Sequence, residues 1–227
     1  MKLLIIIPAY NEGENIERVV TTIKQNCPQY DYLVVNDGSR DKTEEICIKK
    51  GYHFVSHPIN LGLAAAVQTG MIYAHKNGYD AAIQFDGDGQ HDPNYIKKMA
   101  DETEKGSNIV IGSRFVDEKK PKSLRMLGSN LIQFAIKITT GKTIKDPTSG
   151  MRMFDAEMIK KLALAADLGP EPDTVALLVR AGASFKEVQV EMHDRTAGES
   201  YLNFANSVNY MLRMFASILV LQWFRKE

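Results

Sequence analysis

The sequence lacks a surplus of charge of either sign. Its 28 basic and 28 acidic residues cancel to a formal net charge of zero. Nucleic-acid binders draw affinity from excess Lys and Arg set against phosphates, so no nucleic-acid partner is expected. Cysteine is scarce as well. Cys27 and Cys47 are the two present; they form no metal-type spacing, and a reduced, cytosolic chain is the simplest expectation. Long apolar runs are missing. No stretch reaches the roughly 18 consecutive apolar residues that suggest a bilayer-spanning helix. The opening MKLLIII stops at Pro8, too short for a signal-peptide core, and reads as a first β-strand. Three common chemistries lack their signatures: there is no GxGxxG, no GxxxxGK[ST] and no GxSxG. His57, His91 and His193 are too scattered to suggest a triad.

Hydrophobic residues make up 44% of the 227, enough for a substantial core. LLIII, YLVVN, YHFV, AAIQF and NIVIGS are short and apolar, as buried parallel strands are. Helix-length segments with 3.6-residue periodicity lie between them, several closing on Gly. This alternation predicts an α/β, doubly wound, mostly parallel sheet. After Phe115 the pattern changes. The charged loop DEKKPKSLR leads into a predicted amphipathic helix at about 123–140. Arg125, Ser129, Gln133 and Lys137 form one stripe there, and Leu124, Leu127, Leu131, Phe134 and Ile138 line another face. A second amphipathic helix is expected within 201–227, beyond a catalytic domain spanning 1–200. Its polar stripe is Asn206, Asn209, Arg213 and Ser217, and Trp223, Arg225 and Lys226 close it. Two readings of that helix stand: a core or dimer helix, or one lying at a membrane interface.

Four polar clusters follow predicted strands: PAYNE (8–12), NDGSRD (36–41), DGDGQHD (86–92) and GSR (112–114). Ligands of open α/β sheets bind at the carboxyl ends of strands, so all four are expected to converge. In the third, Asp86 and Asp88 flank a glycine. Two carboxylates this close, with Gln84 and Gln90 as neutral oxygens, suit Mg²⁺ or Mn²⁺. A calcium EF-hand loop would need Gly and Glu where His91 and Lys97 stand, so that reading fails. Asp92, before Pro93, is expected to cap the next helix.

PAYNE, VVNDGSRDKT, FDGDGQHDP, GSR and DPTSGMR, in that order over about residues 1–200, resemble the family-2 inverting glycosyltransferases. Within them the chain is most similar to the polyprenyl-phosphate branch, the dolichol-phosphate mannose synthase type. The resemblance implies a GT-A-like fold and a nucleotide-sugar donor. It implies that Asp86, Asp88 and Gln90 hold a metal on the donor diphosphate, with Asp88 the ligand that cannot be lost. Pro8, Tyr10, Glu12 and Asp37 carry over as base and ribose contacts. Arg114, Arg125, Ser129 and Arg195 carry over as contacts to an acceptor phosphate, with Arg114 and Arg195 also in the catalytic set. The loop HDRTAGESYL (193–202), with Gly198 and Ser200, would close over both phosphates.

The acceptor divides the possibilities. A lipid phosphate is already anionic and needs cations rather than a base, and Arg presents a fork that fits it. A sugar hydroxyl needs a base, for which Glu171 and Asp173 are candidates unless they merely complement a helix N-terminus. A third possibility is a non-catalytic nucleotide-sugar-binding subunit of a membrane complex. Arg152 reads as a phosphate contact or a structural ion pair. Lys119, Lys120 and Lys122 read as contacts to anionic lipid heads or as a solvated loop. Long members of the branch carry transmembrane helices after the catalytic domain, whereas this sequence runs to Glu227. The expected location is therefore peripheral, at the cytoplasmic membrane face. Lipid would be reached through interfacial helices, a small membrane protein or self-association.

Overall fold

The computed structural model describes residues 1–165, 168–192 and 204–220, with 124, 125 and 204–208 described as backbone only. The first strands and helices alternate along the chain: β1 (Leu3–Ala9), α1 (Ile16–Asn26), β2 (Asp31–Asn36), α2 (Thr43–Lys50), β3 (Phe54–Ser56), α3 (Leu63–Lys76), β4 (Ala81–Gln84), α4 (Asn94–Glu104) and β5 (Ile109–Ser113). Then follow α5 (Leu124–Thr140), β6 (Arg152–Asp155), α6 (Ala156–Leu164), α7 (Pro172–Arg180), β7 (Phe185–Gln189) and α8 (Phe204–Leu219). The described strands form one seven-stranded sheet in the order β3-β2-β1-β4-β6-β5-β7. Its pairings are parallel except where β6 runs antiparallel between β4 and β5.

β1 shows why this sequence makes a central strand. All of Leu3–Ala9 is buried, and successive side chains leave opposite faces. Leu4 and Ile6 join the core that includes α3 and α6. Leu3, Ile5, Ile7 and Ala9 join the core that includes α1 and α4. With helices on both faces, a continuous apolar run replaces polar alternation. α2 and α5 end at Gly51 (φ 63°) and Gly141 (φ 71°), left-handed positions that glycine adopts without strain. Ser123 starts α5 by accepting from the Met126 N–H.

α8 adds Met214 and Ile218 to the same core as α3 and α6. It packs on α5 where Gly128 leaves room for the Met211 sulfur. α5 presents Ile132, Ala135 and Ile136 to the core, whereas Leu127, Leu131, Phe134 and Ile138 are 45–59% exposed. Among the described residues, no helix is long and apolar enough to cross a membrane.

Candidate active site

The loops at the carboxyl ends of β1, β2, β4 and β5 are tied to one another by specific contacts. Asn11, with φ 55°, joins the first two. Its N–H donates to Ser39 Oγ (2.9 Å), and its Oδ1 accepts the Arg40 N–H (2.8 Å). Gly13 N–H donates to Asp41 Oδ2 (2.8 Å) and Glu12 N–H to Thr43 Oγ1 (2.9 Å). Gly87 of the third loop packs on the first so closely that a Cβ would lie 2.9 Å from the Pro8 carbonyl oxygen. The segment before β6 links the third loop to the fourth. A Cβ on Gly150 would sit 2.5 Å from Asp86 Oδ2, and Ser149 Oγ donates to the Gly112 carbonyl (2.5 Å). All four polar clusters thus converge, as the strand-end rule requires.

Within this crevice the carboxylates differ in the work they already do. Asp37 is buried. Its oxygens accept from His57 Nδ1 (2.7 Å), Leu61 N–H (2.9 Å) and Gly62 N–H (2.7 Å), three of roughly four acceptor sites. It therefore pins the entry to α3. Glu12 is buried and accepts from Asn15 Nδ2 (2.7 Å), while Tyr10 is exposed. Asp86 Oδ1 accepts from Gln84 Nε2 (2.9 Å), and Asp88 Oδ1 from the Gln90 N–H (3.0 Å), which curls the turn around Gly89. A cation absent from the sequence reading lies beside that turn: a Cβ on Gly89 would collide with the Arg18 guanidinium. Asp92 Oδ1 accepts the Asn94 N–H (2.9 Å) at the start of α4, the helix-starting role expected of it.

The donor set suits a hard divalent cation. Among the described residues, no three His, Cys, Asp or Glu side chains gather into a complete cage. Two carboxylates and an amide fit the usual pattern for Mg²⁺ or Mn²⁺, whose remaining positions go to water and substrate phosphates. Unpartnered buried atoms around Asp86, Gln84 Oε1 among them, mark a polar site with unused bonding capacity.

The cationic side is built around β5 and α5. Arg114 grips the buried Asp146 twice, Nε to Oδ2 at 2.7 Å and Nη2 to Oδ1 at 2.8 Å, and its own N–H also donates to Oδ2 (3.1 Å). This ion pair was not anticipated, although Asp146 opens the DPTSGMR motif. Ser129 is buried, and Lys120 Nζ donates to its Oγ (3.2 Å), to Asn130 Oδ1 (3.1 Å) and to Gln133 Oε1 (3.0 Å). The ammonium has neutral oxygen partners, and burial lowers its pKa from the ordinary lysine value. Arg125 stands in the first turn of α5, described as backbone only, and Arg195 lies outside the described residues. Trp223, Arg225 and Lys226 also lie outside them.

Arg152 is a structural clamp. It is buried, donates Nη2 to the Pro147 carbonyl (2.7 Å) and Nη1 to the Pro170 carbonyl, and its pKa is lowered by burial. Asp173 is buried and accepts from Ser217 Oγ (2.6 Å) and the Thr174 N–H (2.9 Å). Glu171 faces Arg213 at 3.4 Å; burial raises its carboxyl pKa and Arg213 opposes the rise. Arg213 and Ser217 of α8 thus serve the start of α7.

Residues 4–163 match the family model described as Glycosyl transferase family 2. The chain belongs to that family. It is 28% identical to "Polyprenol monophosphomannose synthase" of Mycolicibacterium smegmatis, over 94% of this chain and 85% of that protein. It is 29% identical to "Undecaprenyl-phosphate mannosyltransferase" of Micrococcus luteus, over 89% and 88%. It is 30% identical to "UDP-N-acetylglucosamine--dolichyl-phosphate N-acetylglucosaminyltransferase" of Methanococcus voltae, over 71% and 72%. Among solved structures, glucosyl-3-phosphoglycerate synthase of Mycobacterium tuberculosis superposes with a TM-score of 0.71 at 18% identity. That match covers 100% of this chain and 81% of that one, and supports the GT-A-like fold. The same synthase has been crystallised with Mn²⁺ and UDP.

Proposed function

We propose that this glycosyltransferase moves one sugar from a nucleotide-diphosphate sugar to a polyprenyl phosphate, at the cytoplasmic face of a membrane. The observation that carries this reading is the division of α5. One side holds Ser129 and the Lys120 ammonium near Arg114, while the other exposes Leu127, Leu131, Phe134 and Ile138. A lipid with an anionic head needs both an apolar contact for its chain and cations for its phosphate. The three relatives named above are polyprenyl- or dolichyl-phosphate sugar transferases by their names, which supports the same acceptor class here.

In this reading the first two loops hold the nucleoside, with Pro8, Tyr10, Glu12 and Asp37 around it. Asp86, Asp88 and Gln90 hold Mg²⁺ or Mn²⁺. That cation, when bound, offsets the negative charge gathering on the leaving diphosphate. Arg114, Arg125, Ser129 and Arg195 orient the acceptor phosphate. One of its oxygens forms the new bond to the anomeric carbon as the bond to the nucleoside diphosphate breaks, with inversion. The acceptor is already anionic, so no general base is needed. The hydroxyl-acceptor alternative loses support because Asp173 is buried against Ser217 and Glu171 faces Arg213.

A thermal-shift screen of UDP, GDP and their sugars with Mn²⁺ tests the donor half. A specific nucleotide at about 100 times its Kd stabilises the fold by about 2.7 kcal/mol. The base giving that shift identifies the donor class, and a flat response to every nucleotide contradicts the reading.

A further inference from the structure

Among the described residues, Gln84 Oε1, His91 Nε2 and Arg152 Nε are buried without a hydrogen-bond partner. All three belong to residues grouped near Asp86. Gln84 donates to Asp86 Oδ1, Arg152 pairs with Gln84 across β4 and β6, and His91 receives the Asp86 N–H. Leaving a buried polar group unmet is costly, so such a grouping calls for a reason.

His91 supplies the clearest one. It is 4% exposed, and its ring stacks edge-on to Phe85 with centroids 5.3 Å apart. Asp86 N–H donates to its Nδ1 at 3.1 Å. A neutral imidazole that accepts at Nδ1 carries its proton on Nε2. That Nε2 lies 3.8 Å from Asp86 Oδ2, just beyond bonding distance. The space that the carboxylate would use exists because residue 150 is glycine: a Cβ there would lie 2.5 Å from Oδ2 and 3.5 Å from His91 Cε1. Met192 forms an antiparallel β-bridge to His91, which ties the backbone at that position.

We propose that His91 is the positioning residue of the metal site, its Nε2–H closing onto Asp86 Oδ2 when the divalent cation binds. Gln84 then holds one carboxylate oxygen and His91 the other, which fixes Asp86 as a ligand without His91 touching the metal. Groups that orient ligands in this way contribute about 10–100-fold to metal affinity. The proposal rests on the metal reading above and extends it to a residue outside the ligand set.

Two substitutions separate the two nitrogens of the ring. H91N keeps an oxygen to accept the Asp86 N–H and loses the Nε2 donor. H91Q keeps a donor near the Nε2 position and loses the ring acceptor. Mn²⁺ binding, followed by the free-ion EPR signal of the full chain with UDP or GDP, is expected to weaken 10–100-fold in H91N. In H91Q it is expected to stay within about threefold of wild type, on the same scale. Wild-type affinity in H91N, or the opposite ranking, overturns the proposal and leaves His91 a packing residue. A second measurement needs no variant. In ¹⁵N-imidazole NMR of the wild-type chain, Mg²⁺ with nucleotide is expected to move the His91 Nε2–H resonance downfield and slow its exchange with water. An unchanged resonance despite demonstrated Mg²⁺ binding overturns the proposal. Absence of any Mn²⁺ or Mg²⁺ binding by the wild-type chain instead overturns the metal reading itself.

Discussion

At the residue scale, the site is a set of groups whose roles are separated by what already holds them. Asp86 and Asp88 are each engaged by one neighbour and retain capacity for a cation. Asp88→Ala is expected to lower transfer on the order of 100-fold or more, as removing an electrostatic stabiliser of a developing anion does. Its urea unfolding curve should match wild type; near-normal transfer with metal present would contradict the assignment. Gly150→Ala puts a methyl group 2.5 Å from Asp86 Oδ2, so the carboxylate must shift. It should weaken Mn²⁺ binding measurably more than it shifts the unfolding midpoint. Arg114 is different, because its partner Asp146 is fully buried. Arg114→Ala strands that carboxylate and should cost about 3 kcal/mol by urea unfolding. Wild-type stability would show that Arg114 is held for the acceptor alone.

At the scale of elements, the parallel strands could be read from sequence because a strand covered on both faces is apolar throughout, as LLIII is. β6 and β7 could not. β6 is the four residues RMFD, begins with the buried Arg152, and runs antiparallel against the βα rhythm. β7, FKEVQ, is an edge strand with charged residues in its middle. The two stripes of α5 were visible, but their orientation was not. Ser129 lies buried, and the leucine row lies exposed because smaller Ala135 with Ile132 and Ile136 fills the core. Polarity alone does not say which face of an amphipathic helix turns inward when both faces carry aliphatic side chains. The exposed row predicts membrane contact. Replacing Leu131 and Phe134 together by Glu should weaken binding to anionic vesicles about 100-fold, from about 1.5 kcal/mol of lost burial per side chain. Nucleotide binding in solution should be unchanged. Equal vesicle binding by the double variant would remove α5 from the interface.

At the scale of the whole molecule, the sheet brings motifs far apart in sequence to one edge. The ordered motif set therefore revealed the convergence of the four strand-end loops better than the packing around α5. Those four loops follow strands directly, so their convergence comes from topology. The surroundings of α5 depend on pairings such as Arg114–Asp146, Lys120–Ser129 and Ser217–Asp173, which join residues separated in sequence and appear only in the packed fold. In the proposed reaction the acceptor's phosphate is the nucleophile. The direct measurement gives the purified protein Mn²⁺, the donor selected by the nucleotide screen, and either a polyprenyl phosphate or the matching polyprenol in detergent. A glycosyl phosphodiester is expected from the phosphate and no product from the alcohol. Equal transfer to the alcohol, or no transfer to the phosphate with a donor that demonstrably binds, would contradict it.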